Sequence, residues 1–161
     1  MATMAIIAIE EEGEQFTAVY LHFSGYPDGA GAVLAEHYTD AGRVRQLLAL
    51  GNLIGLRPSL GEKHDAKDNS LARRQGWTTA YHRDRGDEWE CVKPLEVVGR
   101  RCFEARLMEY WFCDWGYLFQ DGRWLITHLA SYRGRLPEAG ITWEMLADRL
   151  AANRQGRGET C

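Results

Sequence analysis

The sequence predicts an α+β fold: one domain over residues 1–161, with a largely antiparallel sheet of about five or six strands and two or three helices packed on one face. Three observations predict it. Two segments have the alternation and turn residues of β-hairpins, and helical spacing appears between and after them. A chain of 161 residues with 45% hydrophobic content is sufficient for one core.

The first hairpin is predicted from residues 4–9 and 15–23, which are rich in β-branched, aromatic and other apolar residues. With residues 12–13 as a two-residue turn, Ile9 lies opposite Phe16. Both sides of this ribbon then carry apolar side chains, which is typical of strands near the centre of a sheet.

Three helices are expected around this sheet. Residues 30–38 and 41–50 carry apolar side chains at helical spacing, and Asp40 is a suitable N-cap for the second. Thr142 is predicted to cap the last helix, with Ile141 packing onto it as a hydrophobic staple. The inner side of that last helix is formed by Trp143, Leu146 and Leu150.

The middle of the chain is predicted to continue the sheet. Residues 77–82 have strand character, residues 83–87 form a charged turn, and residues 88–92 are expected to return as a strand. Residues 95–108 begin with strand formers and end with helix formers, so both structures stay open there.

The clearest local signal is Asp121-Gly122, which is typical of a type I′ hairpin turn. It joins residues 110–120 to residues 123–129 and places Phe119 opposite Trp124. The alternation assigns one packed face to Trp111, Cys113, Trp115, Tyr117 and Phe119.

Two segments are expected to lie outside the packed core. Residues 61–76 are polar and rich in turn formers, which predicts a mobile surface loop and leaves a short helix open there. Residues 155–161 are polar and terminal, which predicts a disordered tail.

Composition and charge exclude several functions. A net charge of −4, from 19 Lys and Arg against 23 Asp and Glu, argues against direct nucleic-acid binding. No apolar run approaches the roughly 20 residues that cross a bilayer, and the N-terminus lacks a signal-peptide pattern. These features predict a cytoplasmic protein that does not bind membranes.

The cysteines do not have the spacing of a metal site. Cys91, Cys102 and Cys113 are far apart in sequence, and Cys161 is the last residue, so no local pair could anchor zinc. The five His are dispersed as well. We therefore expect reduced cysteines, no metal and no cofactor.

Charged loops and two tryptophans are the candidate partner-binding residues. The glutamates at the first hairpin tip would suit a basic groove, and the charged turn after residue 82 is flanked by two Trp. No nucleophile has a base beside it, which favours a non-enzymatic protein, although an enzyme stays open. The partner-binding set is Glu10, Glu11, Glu12, Glu14, Tyr26, Asp28, Trp77, Arg83, Asp84, Arg85, Asp87 and Trp89.

Two other functions remain as alternatives. A small enzyme or ligand-binding protein would bring five side chains into one pocket, namely His22, Tyr26, His82, Arg83 and Asp84. A nucleic-acid-binding accessory protein would use four arginines, namely Arg73, Arg74, Arg83 and Arg85.

Three blocks carry a resemblance to a known family: HFSGYPDGAGAVLAEHY (residues 22–38), AYHRDRGD (residues 80–87) and YLFQDGRW (residues 117–124). Together they resemble a family of small, uncharacterised accessory proteins of bacteriophages, prophages and plasmids. The resemblance implies a protein that acts in the bacterial host cytoplasm. It suggests an inhibitor, similar to anti-CRISPR proteins, that binds a host protein or ribonucleoprotein complex of the defence machinery. The oligomeric state stays open.

Overall fold

The computed structural model describes residues 2–156. Within them a single mixed sheet has eight strands: β1 (Ala5–Glu11), β2 (Gln15–Leu21), β3 (Leu53–Gly55), β4 (Thr79–Ala80), β5 (Leu95–Val98), β6 (Trp115–Gln120), β7 (Arg123–His128) and β8 (Glu144–Met145). The helices are α1 (Ala32–His37), α2 (Ala41–Leu48), α3 (Ser70–Gln75), α4 (Trp89–Val92), α5 (Arg100–Leu107) and α6 (Leu146–Gly156). The predicted α+β fold is confirmed.

The strand β1 lies in the middle of the sheet. The order is β4-β3-β2-β1-β6-β7-β8, and β5 pairs with the beginning of β2. The pairs β1–β6 and β2–β3 are parallel, and the other five pairings are antiparallel. All side chains from Ala5 to Ile9 are buried, as expected for a strand covered on both faces.

Helices cover both faces of the sheet rather than one. On the first face, α1, α2 and α6 contribute buried leucines to a core that contains Ile7 and Tyr117. On the second face, Phe103 of α5 stacks on Phe16 of β2, with ring centroids 4.2 Å apart. The domain therefore has two apolar cores, one between each face of the sheet and the helices that cover it.

The two predicted hairpins differ in how well their register was predicted. Phe119 lies opposite Trp124 as expected, because Asp121 and Gly122 both adopt the positive φ angles that a type I′ turn requires. The first turn has three residues instead of two, since both Gly13 and Glu14 have positive φ. Phe16 therefore lies opposite Glu10, and the predicted pairing with Ile9 is wrong by one residue.

The strand predicted over residues 77–82 is mostly absent. Only Thr79–Ala80 pair with β3, and the chain then forms a π-helical turn over Tyr81–Arg85. The return strand predicted over residues 88–92 is instead the short helix α4. The carboxylate of Asp84 accepts a hydrogen bond from the Ala80 N–H at 2.7 Å and so ties the turn to β4.

The last helix begins later than predicted. Residues 144–145 pair with β7 as β8, so Thr142 is not the N-cap and α6 starts at Leu146. Trp143 stacks with Phe103 in the second-face core, whereas Leu146 packs in the first-face core. The staple predicted with Ile141 is wrong for the same reason, because Ile141 also packs on the second face.

The segments predicted as mobile and disordered are only partly described. Residues 61–76 include α3, and the His64 N–H donates to Asp84 Oδ1 at 3.1 Å; their mobility stays a prediction. Gln155 and Gly156 end α6, and the rest of the predicted tail, with Cys161, lies outside the described residues. In the described part of the chain, no helix is long and apolar enough to cross a membrane.

Candidate functional site

Three of the four glutamates at the tip of the first hairpin contact arginine residues, and two of them form ion pairs. Glu11 Oε1 lies 2.6 Å from Arg45 Nε, and Glu10 Oε1 lies 3.1 Å from Arg100 Nη1. Glu14 accepts a hydrogen bond of 3.2 Å from the Arg100 N–H. Burial raises the pKa of Glu10, although Arg100 opposes the change. These three carboxylates hold the tip against α2 and α5 and are not available to a partner without breaking those contacts.

Glu12 differs from the other tip residues. It is exposed and has no hydrogen bond or ion pair with any residue in 2–156. With Asp121 and the rest of the tip it lines an open cleft of about 820 Å³ between the two hairpin ends. Across residues 2–156, no three His, Cys, Asp or Glu side chains are placed to hold a metal ion.

Asp84 is an internal hydrogen-bonding centre. Its side chain is fully buried, and it accepts from the Ala80 N–H at 2.7 Å and from the His64 N–H at 3.1 Å. Arg83 Nε donates to it at 2.9 Å, while Arg83 Nη2 donates to the Thr78 carbonyl at 2.7 Å. Arg83 and Asp84 therefore join the turn to the 61–76 segment and to β4, which is a structural role.

The other charges of this turn also bind one another. Arg85 donates two hydrogen bonds of 2.7 Å to the Asp87 carboxylate, and they lower the pKa of that carboxyl. The Arg85 guanidinium lies over the Tyr81 ring at 4.6 Å, and His82 Nδ1 lies 2.8 Å from the Asp87 carbonyl oxygen. The side chains of Arg85, Asp87 and His82 therefore make their polar contacts within the turn itself.

The remaining predicted contacts are scattered over the surface. Trp77 is half-buried with its ring centroid 5.9 Å from that of His64, whereas Trp89 is 37% exposed and lies edge-on to His82. Tyr26 is exposed. Asp28 is exposed as well, with Asn153 Nδ2 at 3.5 Å.

The pocket expected for a small enzyme forms only in part. His82, Arg83 and Asp84 line an open cavity of about 590 Å³, but neither His22 nor Tyr26 is among its lining residues. The ring of His22 is held instead by the Tyr20 hydroxyl, 2.7 Å from Nδ1.

The four arginines expected for nucleic-acid binding lie on two elements. Arg73 and Arg74 lie on α3. Arg83 and Arg85 lie in the charged turn, where they form ion pairs with Asp84 and Asp87.

A surface of contacting rings lies beside β2, and we call it the aromatic surface. Each ring contacts at least one other ring of the surface. The ring centroids of Phe23 and His22 are 4.4 Å apart. Phe112 lies 5.8 Å from both Tyr20 and Trp111, again between ring centroids. Trp111 is 71% exposed, Phe23 49% and Phe112 42%. The aromatic surface consists of Tyr20, His22, Phe23, Tyr110, Trp111 and Phe112.

The exposure of Trp111 corrects the predicted packed face. The strand β6 starts only at Trp115, so residues 111–114 form a turn and do not continue the alternation. Trp111 lies in solvent, and Cys113 packs in the second-face core, away from Phe119. One signal in the sequence could have revealed this: three consecutive aromatic residues, 110–112, cannot all face one core in a regular strand.

Comparison with protein-family models, with curated proteins and with solved structures finds no match for this chain. The resemblance to phage and plasmid accessory proteins therefore stays a prediction from the three sequence blocks.

Proposed function

We propose that this protein acts by binding a protein of a bacterial host through the aromatic surface, without catalysing a reaction, and thereby inhibits a host defence complex. The 71% exposure of Trp111 carries the choice of surface. The resemblance of residues 22–38, 80–87 and 117–124 to accessory proteins of phages and plasmids supports the setting.

Exposed aromatic rings that contact one another are suited to protein binding. Trp and Tyr are enriched among the residues that dominate interface energies, because they bury much area with few rotatable bonds. Here the rings of Trp111 and Tyr110 both rest against Phe112, which restricts their rotamers before any partner arrives. Restricting them in advance lowers the entropy cost of association.

The charges near the aromatic surface support an apolar contact. Arg106 Nε lies 3.2 Å from Glu109 Oε2, and Arg85 is paired with Asp87. Since these charges are already paired, a partner would not need to supply counterions beside the rings. The acidic tip is a weaker candidate, because only Glu12 is free of contacts within residues 2–156.

The test is capture from a bacterial host lysate with three baits: the wild-type chain, Trp111→Ala, and Trp89→Ala as an exposed aromatic control on α4. We expect one host protein to be retained by wild type and Trp89→Ala and lost with Trp111→Ala. The purified partner should then lose activity when wild type is added. Equal capture by all three baits, or no capture at all, would contradict the proposal.

Two other results would contradict the proposal and indicate a different interface or partner. If Glu12→Gln and not Trp111→Ala abolishes capture, the interface is the acidic tip and the aromatic surface is rejected. If light scattering finds a dimer that Trp111→Ala dissociates, the rings cover a second copy of this chain and the host-partner proposal is wrong.

A further inference from the structure

A second candidate site lies between β3 and the segment that contains α3, and of the aromatic surface it shares Phe23 alone. It is a cavity of about 450 Å³, within the range of small-molecule pockets. The residues of interest in its lining are Phe23, Ser24, Gly55, Arg57, Asn69 and Arg73.

Arg57 is a partly buried cation without a counterion. Its Nη1 donates to the Trp77 carbonyl at 2.8 Å and to Thr79 Oγ1 at 3.2 Å, which fixes the guanidinium at the cavity wall. No carboxylate in residues 2–156 lies within ion-pair distance of it. Partly buried charges are normally paired, as Arg83 is with Asp84 nearby.

Arg73 adds a second cation to the same cavity. Like Arg57 it has no ion pair within residues 2–156, and unlike Arg57 its side chain has no hydrogen bond there either. Burial, together with the positive charge of Arg73, lowers the pKa of Arg57. Two guanidinium groups without a carboxylate fit an anion with more than one negative charge, and a phosphate monoester carries roughly −1.5 to −2 at pH 7.

The rest of the lining suits an organic group attached to that phosphate. The Ser24 hydroxyl and the Asn69 amide have no hydrogen bond to any described residue, so they are available as donors and acceptors. The ring of Phe23 is 49% exposed at the cavity, where a flat heterocycle can stack on it.

We propose that this cavity binds a nucleoside monophosphate, with the phosphate between Arg57 and Arg73 and the base on Phe23. The same chemistry occurs at the 5′-phosphorylated end of a nucleic-acid strand, and the two sources are separated by the probes below.

The test is calorimetric titration at low salt with adenosine 5′-monophosphate, uridine 5′-monophosphate, adenosine and inorganic phosphate. We expect a nucleoside monophosphate to bind at least about tenfold more tightly than phosphate or adenosine alone, because both halves of the ligand make contacts. A 5′-phosphorylated pentanucleotide that binds while both free monophosphates do not would identify a strand end as the ligand. Failure of all three phosphorylated nucleoside probes at millimolar concentration would overturn the proposal.

Neighbouring arginines on α3 provide a matched pair of variants. Arg73→Gln should weaken binding of the monophosphate by about tenfold or more, as expected for a lost charged hydrogen bond. Arg74→Gln changes the net charge equally but does not line the cavity, so its effect should stay within about twofold. Equal weakening by both variants would mean general electrostatic attraction and would overturn the site.

Phe23 belongs to this cavity and to the aromatic surface, so Phe23→Ala tests the stacking contact, whereas Trp111→Ala and Arg73→Gln separate the two sites. Phe23→Ala should weaken the monophosphate and leave inorganic phosphate unchanged; unchanged monophosphate binding would reject the stacking contact. Trp111→Ala should retain the nucleotide, and Arg73→Gln should retain any captured host protein.

Discussion

The turn of residues 81–87, which we call the Asp84 turn, and the aromatic surface exchange the roles that their sequences predict. Residues 82–87 have the most chemically suggestive side chains in the chain, yet Asp84 is buried and Arg85 is paired with Asp87. Residues 110–112 have the composition of a core, yet Trp111 is mostly exposed. The difference shows that residue type alone does not determine which side chains the fold buries or pairs and which it leaves exposed.

The same distinction applies to the two partly buried arginines next to Thr78. Arg83 donates to the Thr78 carbonyl and is neutralised by Asp84, so it stabilises the fold. Arg57 donates to the neighbouring Trp77 carbonyl and has no carboxylate partner within residues 2–156. Arg83 is thus neutralised within the fold, whereas Arg57 is the cation for which we propose an anionic ligand.

The largest change in the free energy of unfolding is expected from a substitution in the Asp84 turn. Asp84→Asn removes the charge opposite Arg83 and replaces an acceptor oxygen with an amide that faces N–H donors. We expect the free energy of unfolding to fall by about 3 kcal/mol, measured by urea denaturation. The exposed Asp65→Asn is the control and should change it by less than about 0.5 kcal/mol. If Asp84→Asn is equally harmless, the turn is not a structural centre.

The next largest change in stability is expected from Cys113, the first buried residue after the exposed rings of Trp111 and Phe112. Burial raises the pKa of this thiol from 9.0 to about 12, so the folded state holds its proton where the unfolded state releases it. The contribution to stability is therefore complete below about pH 9 and lost as the pH rises towards 12.

We expect the free energy of unfolding to decrease between pH 8 and pH 10.5, by at most about 1.4 kcal/mol per pH unit from this thiol. Tyr20 adds to the loss at the upper end of that range, since burial raises its pKa from 10.0 to about 12. Cys113→Ala should reduce the slope between pH 8 and pH 10, whereas the contribution of Tyr20 above pH 10 should remain. A slope that is identical in the variant would place the thiol in contact with solvent.

Local signals predicted the elements that depend on neighbouring residues. Asp121-Gly122 determines its turn because both residues tolerate positive φ, and Asp40 caps α2 by accepting from the Arg43 N–H at 2.9 Å. Both interactions lie within three residues along the chain. The central position of β1 also followed from its apolar residues on both faces.

Interactions between distant residues account for what the sequence did not predict. Most of the strand expected over residues 77–82 is replaced by a turn, in which Asp84 accepts a hydrogen bond from the N–H of His64, 20 residues away in sequence. The parallel pairing of β1 with β6 joins Ala5 to Trp115 and has no local signal. At the acidic tip, Glu10 and Glu11 are paired with arginines from α5 and α2, which are distant in sequence. The run of glutamates alone therefore did not show that two of these carboxylates are already in ion pairs.

A smaller change in the free energy of unfolding is expected from a substitution at the acidic tip. Arg45→Ala breaks an exposed ion pair with Glu11, so the free energy of unfolding should change by less than about 1 kcal/mol. The change should shrink further in 0.5 M salt because exposed charges are screened. A larger, salt-independent loss would mean that the tip is part of the structural framework, like the Asp84 turn.

The smallest effect on stability is expected for Trp111→Ala. A side chain that is 71% exposed contributes little to folding, so urea denaturation should give a free energy within about 0.5 kcal/mol of wild type. A loss comparable to that of Asp84→Asn would show that Trp111 is a core residue after all.

The most direct test of the central claim is the dissociation constant of the captured host protein, measured with wild type, Trp111→Ala and Trp89→Ala. Loss of a dominant interface aromatic costs at least about 2 kcal/mol, so Trp111→Ala should raise the dissociation constant by about 30-fold or more. Trp89→Ala should leave it unchanged. If the two variants bind as tightly as wild type, the exposed rings are not the interface and the account of this surface is wrong.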